Sequence, residues 1–165
     1  MISCATRLRY GRSVAADETD TADTAIIAAL SANARATLNE LSAVAGLSVS
    51  ATQARVRRLE ARGLISGYRA VIDPEVAGKP LAAFVEITPL DPGQPDNAPE
   101  LIAHLDEIEA CHSIAGDAAY MLFVRVATPR DLERLIRDIR SAASVGTRTT
   151  VVLQTFFEHR PLSPA

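Results

Sequence analysis

A chain of 165 residues with 48% hydrophobic side chains is long enough to bury one large or two small cores. Its net charge of −3 excludes a globally basic protein that coats nucleic acid, so affinity for a polyanion must come from a local cationic patch. Cys4 and Cys111 lack metal-ligand spacing and point to a reducing cytoplasm, while the longest apolar run, Ala118–Val124, is far short of the ~20 residues of a membrane span.

Residues 1–18 carry Arg7, Arg9 and Arg12 without an apolar stretch, which predicts a flexible tail and no secretory signal. Ala22, Ile26, Ile27 and Leu30 recur at helical spacing from about Asp20 and predict a first amphipathic helix. Thr37 and Glu40 have the spacing of a capping box, followed by an apolar stripe of Leu38, Leu41 and Ala45 that Val44 widens. Gly46 then stands where a left-handed helix end favours glycine, and Ser48 caps a new helix at once. Two helices joined by a tight glycine turn make a helix-turn-helix.

The helix from Val49 to Arg62 separates its faces clearly. Thr52, Val56 and Leu59 share one narrow sector and are expected to pack inward. Ser50, Gln53, Ala54, Arg57 and Arg58 cover the opposite side, flanked by Ala51 and Arg55. Small residues near the N-terminus, with Ser48, let a backbone approach a groove. Gln bonds adenine bidentately, and Arg reads guanine or holds phosphate. This face, Ser48, Ser50, Ala51, Gln53, Ala54, Arg55, Arg57 and Arg58, is the expected DNA surface. The competing reading of the same residues is a solvated cationic helix in an ordinary helical hairpin.

Gly63 closes that helix, and Leu64 to Ile72 reads as a bridging strand before a hinge that ends at Pro80. Leu81, Ala83, Val85 and Ile87 alternate with Ala82, Phe84, Glu86 and Thr88 as a half-buried strand. After the loop LDPGQPDNAP, Asn97 and Glu100 frame a helix with Leu101, Leu105 and Ile108 as its buried stripe. Strands near 111–116 and 120–127 follow, and Thr128-Pro129-Arg130-Asp131 opens a helix whose apolar face is Leu132, Leu135, Ile136 and Ile139. Thr147 to Phe157 is β-branched and aromatic and predicts a long last strand. The fold class is α+β, with a three-helix unit (19–63), a bridging strand and hinge (64–80), a ferredoxin-like βαββαβ domain (81–158) and a tail (159–165). Two helices cover one face of such a sheet, so the other face calls for a partner and argues for a dimer built sheet on sheet.

No enzyme constellation is present. His104, His112 and His159 are scattered, no metal site or cofactor is expected, and no glycine pair has dinucleotide-binding spacing. Cys111 and His112 are neighbours on a strand and point to opposite faces.

Asp20 and Asp23, Arg35, ELSAVAGLS, RVRRLEARGLISGY, the AFVEIT strand, CHSIAGD and Tyr120 together resemble the Lrp/AsnC family, the feast/famine transcriptional regulators. The resemblance runs from residue 20 to about 158. It implies a winged-type DNA-binding unit tethered to an ACT-like amino-acid-binding domain, dimers that assemble into higher rings, and a pseudo-palindromic site on double-stranded DNA. It also implies an amino-acid effector in a cleft between subunits, around Gly116, Asp117, Ala118, Ala119 and Tyr120, with Thr149, Thr150 and Val151 of the last strand lining it. An amino acid needs an acceptor for its ammonium group and N–H donors for its carboxylate, and a Gly-Asp hairpin offers both. Thr19 stands where the family has Leu, and Ala119 where its effector loop has a second acid, so larger effector side chains are expected to be tolerated. The alternative is a small-molecule-binding or enzyme-regulating module whose helical unit makes protein contacts.

Overall fold

The computed structural model describes residues 20–91, 93–158 and 160, and these divide between a unit that runs to Ala70 and includes Arg160 and a unit spanning Val71–Glu158. The expected N-terminal tail and all but Arg160 of the C-terminal one lie outside the described residues.

The first unit holds α1 (Thr21–Ala32), α2 (Leu38–Ala45) and α3 (Val49–Ala61), and each helix start has its local cause. Asp20 caps α1 by accepting from the backbone N–H of Asp23 at 2.9 Å. In the capping box of α2, Thr37 accepts from the Glu40 N–H at 3.3 Å, while the Thr37 N–H donates to Glu40 Oε2 at 2.6 Å. Each bond satisfies a backbone donor that the first helical turn leaves without a partner. Gly46 closes α2 at φ +65°, where an L side chain would be strained, and Ser48 accepts from Ala51 to start α3. Ile26, Leu41, Leu59 and Thr52 form the buried centre, with the Thr52 hydroxyl donating to the Ser48 carbonyl at 3.0 Å. Val44 does not join it: its side chain is exposed, so the apolar stripe of α2 is narrower than expected.

The expected bridging strand is not formed among the described residues. Residues 66–73 have no regular structure, and a strand exists only where its backbone finds a ladder partner. Leu64, Tyr68, Val71 and Ile72 are exposed there.

The second unit runs β1 (Leu81–Pro89), α4 (Ala98–Ile102), β2 (Ile108–Ser113), β3 (Tyr120–Val126), α5 (Pro129–Ala143) and β4 (Val145–Val151). Its antiparallel sheet has the order β2-β3-β1-β4, which is the ferredoxin-like βαββαβ arrangement. Ala83, Val85 and Ile87 of β1 and Leu122, Val124 and Val126 of β3 share one face with Ile102 of α4 and Leu132, Leu135 and Ile139 of α5. Thr128 caps α5, accepting from the Asp131 N–H at 3.2 Å, with Pro129 at the first helical position.

Three boundaries differ from expectation. Helix α4 ends at Ile102, its buried residues are Ala98 and Ile102, and Asn97 makes no side-chain cap. Leu101 is exposed, whereas Leu105 and Ile108 do reach the core, one from a turn and the other from β2. Strand β2 accordingly begins at Ile108, paired with Val124, and ends at Ser113 instead of 116. Strand β4 starts at Val145 and stops at Val151. Its ladder to β1 closes with the Val152 N–H on the Ala82 carbonyl at 2.9 Å, and Pro80 just beyond has no N–H to extend it.

Candidate nucleic-acid interface and effector loop

Helix α3 presents Ser50, Ala51, Gln53, Ala54, Arg57 and Arg58 on its exposed side, while Thr52 and Leu59 are fully buried and Val56 is half-buried. Ser48 is occupied as the helix cap, and its hydroxyl also lies 3.2 Å from that of Ser50. The three arginines of this face are not equivalent. Arg57 forms no ion pair among the described residues. Arg55 donates from Nη1 to Asp23 Oδ1 at 2.8 Å and also to Asp20 Oδ2, which leaves it largely covered. Arg58 donates from Nη2 to Asp23 Oδ2 at 2.9 Å and stays 52% exposed.

These bonds shift the groups in the directions that electrostatics requires. The Asp23 and Asp20 carboxylates raise Arg55 above its usual value, and the Asp23 backbone N–H, then Arg55, hold Asp20 below the usual carboxylate range. The pairing of Asp20 and Asp23 with α3 is absent from the sequence reading. Its signal was Asp23 itself, an acid one turn before Ile26 on the apolar stripe, where a buried carboxylate needs partners.

In the second unit the connection between β2 and β3 is closed by the Ile114 N–H on the Ala119 carbonyl and fastened to β1 by the Ala119 N–H on the Ile87 carbonyl, each at 3.1 Å. Gly116 and Asp117 are exposed at its tip, Ala118 is buried and Ala119 half-buried. Tyr120 is buried, and its hydroxyl donates to Asp96 in the loop after β1. That bond, then burial, pushes the phenol up to about 12. Asp96 was not among the expected site residues.

Thr149, Thr150 and Val151 lie on β4, paired with Val85, Phe84 and Ala83. Strand β1 separates them from β3, about 10 Å across the sheet at ~4.8 Å per strand. Tyr120 stands level with Thr147 through Ile87, so Thr149–Val151 are also displaced along the strand. One chain therefore does not bring the two expected groups of effector residues together.

Cys111 pairs with Leu122 and His112 with Met121, which sends their side chains to opposite faces. Burial, then Glu100, pushes the Cys111 thiol up, away from a reactive thiolate. Among the described residues no cluster of His, Cys, Asp and Glu could hold a metal ion, and no helix is long and apolar enough to cross a membrane.

The two units match two family descriptions: residues 19–66 a winged helix-turn-helix DNA-binding unit, and residues 82–162 the Lrp/AsnC ligand binding domain. Over 145 residues the chain is 53% identical to the HTH-type transcriptional regulator LrpA of Mycobacterium tuberculosis, covering 88% of this chain and 97% of that protein. It is 39% identical over 140 residues to the leucine-responsive regulatory protein of Haemophilus influenzae, covering 82% and 84% of the two chains. Among solved structures, the feast or famine regulatory protein from M. tuberculosis complexed with L-methionine matches with a TM-score of 0.87 at 52% identity, covering 89% of this chain and 100% of that one. A helix-turn-helix with an exposed α3 face, followed by this sheet domain and matched along nearly the whole chain, identifies the protein as a member of the Lrp/AsnC family, a DNA-binding helix-turn-helix transcriptional regulator with an Lrp-type ligand-binding domain.

Proposed function

We propose that this regulator acts in the cytoplasm as a two-fold dimer, and as a ring of dimers, on a pseudo-palindromic DNA site, and that an amino acid bound between subunits adjusts assembly and DNA affinity together. The observation that carries the DNA part is the exposed side of α3, with Gln53 and Arg57 among residues small enough for close approach to a groove. A two-fold dimer sets two such helices roughly 34–36 Å apart, or a multiple of that, in successive major grooves. Salt-dependent retardation of duplex DNA, with a footprint of two half-sites, tests this. A footprint confined to one half-site at all concentrations contradicts it.

The dimer reading is supported by the sheet face opposite the helices. Phe84 and Phe123 meet there across β1 and β3 with ring centres 5.1 Å apart, and Phe84 is 42% exposed. Replacing Phe84 by Glu is expected to shift the protein toward monomer in light scattering. An unchanged mass would place the dimer contact elsewhere.

The effector reading rests on the exposed Gly116-Asp117 tip and on the relatives, one complexed with L-methionine and others named leucine-responsive. Because Thr149–Val151 lie across β1 from the tip of their own chain, a pocket joining the two draws one from each subunit. Ala119 supplies no second carboxylate and leaves room for larger side chains. Calorimetry with amino acids on the wild type and Asp117→Ala is the test: equal affinities exclude Asp117 as the ammonium acceptor, and if the ligand shifts DNA affinity, DNA must by linkage shift the ligand's affinity by the same factor.

A further inference from the structure

Helix α3 is tied to α1 by a cluster of four charged side chains. Asp23 is 1% exposed, and its two oxygens are divided between two arginines of α3: Oδ1 accepts from Arg55 and Oδ2 from Arg58. Asp20 adds a second acceptor for Arg55, so two carboxylates face two guanidiniums and the cluster is electrically balanced. Arg55 is three-quarters buried with both of its acids on Nη1, which makes it a strut between the helices. Arg58 is half exposed and donates from Nη2 alone among the described residues, so Nη1 and Nε remain for another acceptor. A guanidinium is planar and rigid, so one bond to a buried carboxylate restricts the whole fork before any ligand arrives.

We propose that Asp23 is a positioning residue for sequence-specific DNA recognition: its buried carboxylate holds Arg55 as a strut and presents the remaining edge of Arg58 to a base or phosphate. The proposal rests on α3 being the DNA helix. Asp23 has two opposed effects there. It orders Arg58, which strengthens binding to the correct sequence, and it cancels a positive charge close to DNA, which weakens binding to any sequence. Removing the carboxylate therefore lowers specific affinity while non-specific affinity holds or rises, an outcome that mere loosening of the fold cannot produce.

The experiment uses the full chain and two probes: a duplex enriched by the wild-type protein from a randomised pool, and a scrambled duplex of the same composition. Asp23→Asn is expected to bind the enriched duplex about 10-fold more weakly, within the range of one good bidentate base contact, while its affinity for the scrambled duplex holds or rises and its salt dependence steepens. Arg58→Lys keeps the charge at a half-exposed position but loses the planar fork. It should lose enriched-duplex affinity to a similar degree and leave the scrambled duplex unchanged. The double variant should bind the enriched duplex no worse than Arg58→Lys alone, since Asp23 acts through Arg58. Parallel losses on both duplexes, or additive losses in the double variant, overturn the proposal. Should Asp23→Asn fail to fold, Arg58→Lys decides it: wild-type affinity for the enriched duplex overturns it. If the wild type enriches no sequence, the reading of α3 as a sequence-specific helix fails and the proposal falls with it.

Discussion

Arg125 places a single nitrogen, Nη2, within 2.8 and 2.6 Å of the two carboxylate oxygens of Glu158. Its side chain is 9% exposed, its Nε bonds Glu109, and its guanidinium carbon lies 5.1 Å from the centre of the Phe123 ring. A cation so covered depends on its partners, and the last described residues of the sheet unit are fastened through it. Arg125→Ala leaves two carboxylates facing a vacated site and is expected to destabilise the sheet unit by about 2–3 kcal/mol, whereas Arg125→Met, which fills the space, should cost less. Urea unfolding of the two variants checks the order. Equal losses would mean that the lost charge and its bonds, not packing, account for the effect.

Arg55 and Arg57 stand two positions apart on α3 and should behave oppositely. Arg57→Ala removes a surface cation that forms no ion pair among the described residues: stability should stay within about 0.5 kcal/mol of wild type, while DNA affinity drops and the salt slope falls by about one. Arg55→Ala takes one of two partners from the buried Asp23, so its effect should appear as a lowered melting temperature. Melting curves and salt-titrated DNA binding on both variants separate the roles. A melting temperature unchanged by Arg55→Ala would contradict the strut.

Acid should act on the helical unit through its caps. The Thr37 backbone N–H, then the Thr37 hydroxyl, hold Glu40 below its usual 4.5, and the Asp23 N–H, then Arg55, hold Asp20 below its usual 3.8. Both folded values are depressed, so their contribution is fully present above the unfolded values and is lost as pH falls through the folded ones. Stability is thus expected to decline below about pH 4, and Glu40→Gln should remove its share of that slope. Hydrogen exchange of α2 amides against pH measures it, and a slope unaltered by Glu40→Gln would show that the cap carries none of it. Thr37→Ala should cost about 1 kcal/mol at neutral pH.

At the alkaline end Tyr120 dominates. Its phenol ionises at about 12 when folded, because Asp96 accepts its proton in a hydrogen bond and burial disfavours the charge; an unfolded tyrosine ionises near 10. The folded value is raised, so this stabilisation is present below about pH 10 and is lost as pH rises toward 12. Ultraviolet titration of the wild type and Tyr120→Phe should show the latest-titrating phenol missing from the variant. Ionisation of that phenol near pH 10 would mean that the Asp96 bond does not hold in solution.

Much of the helical unit was legible because its signals are local. Capping at Thr37, Ser48 and Thr128 and the left-handed Gly46 depend on atoms within a few residues, so spacing alone predicted them. The two faces of α3 followed from helical periodicity in the same way. The α4–β2 boundary did not, since Leu101, Leu105 and Ile108 suit a helix stripe as well as what they form. Pairing of Ile108 with Val124 decides that stretch, and the ladder is set by a strand that comes later in the chain. The end of β4 was likewise decided by where β1 runs out of donors.

Residue type and periodicity by themselves determined which side chains of α3 point outward, the order of the six elements of the sheet domain, and the absence of an apolar run long enough to span a membrane. They set Arg57 within the exposed face and Arg55 on its flank, but left both as cations of one expected DNA surface. Tertiary structure alone brought Asp20 and Asp23 against α3 and thereby turned Arg55 into a strut, while Arg57 has no ion pair among the described residues. It likewise put Asp96 on Tyr120 and separated Thr149–Val151 from the Gly116 hairpin by a whole strand. A side chain's facing is fixed by the repeat of its own helix or strand, but its charge partner is fixed by which distant segment packs against it, and that information resides in no local stretch of sequence.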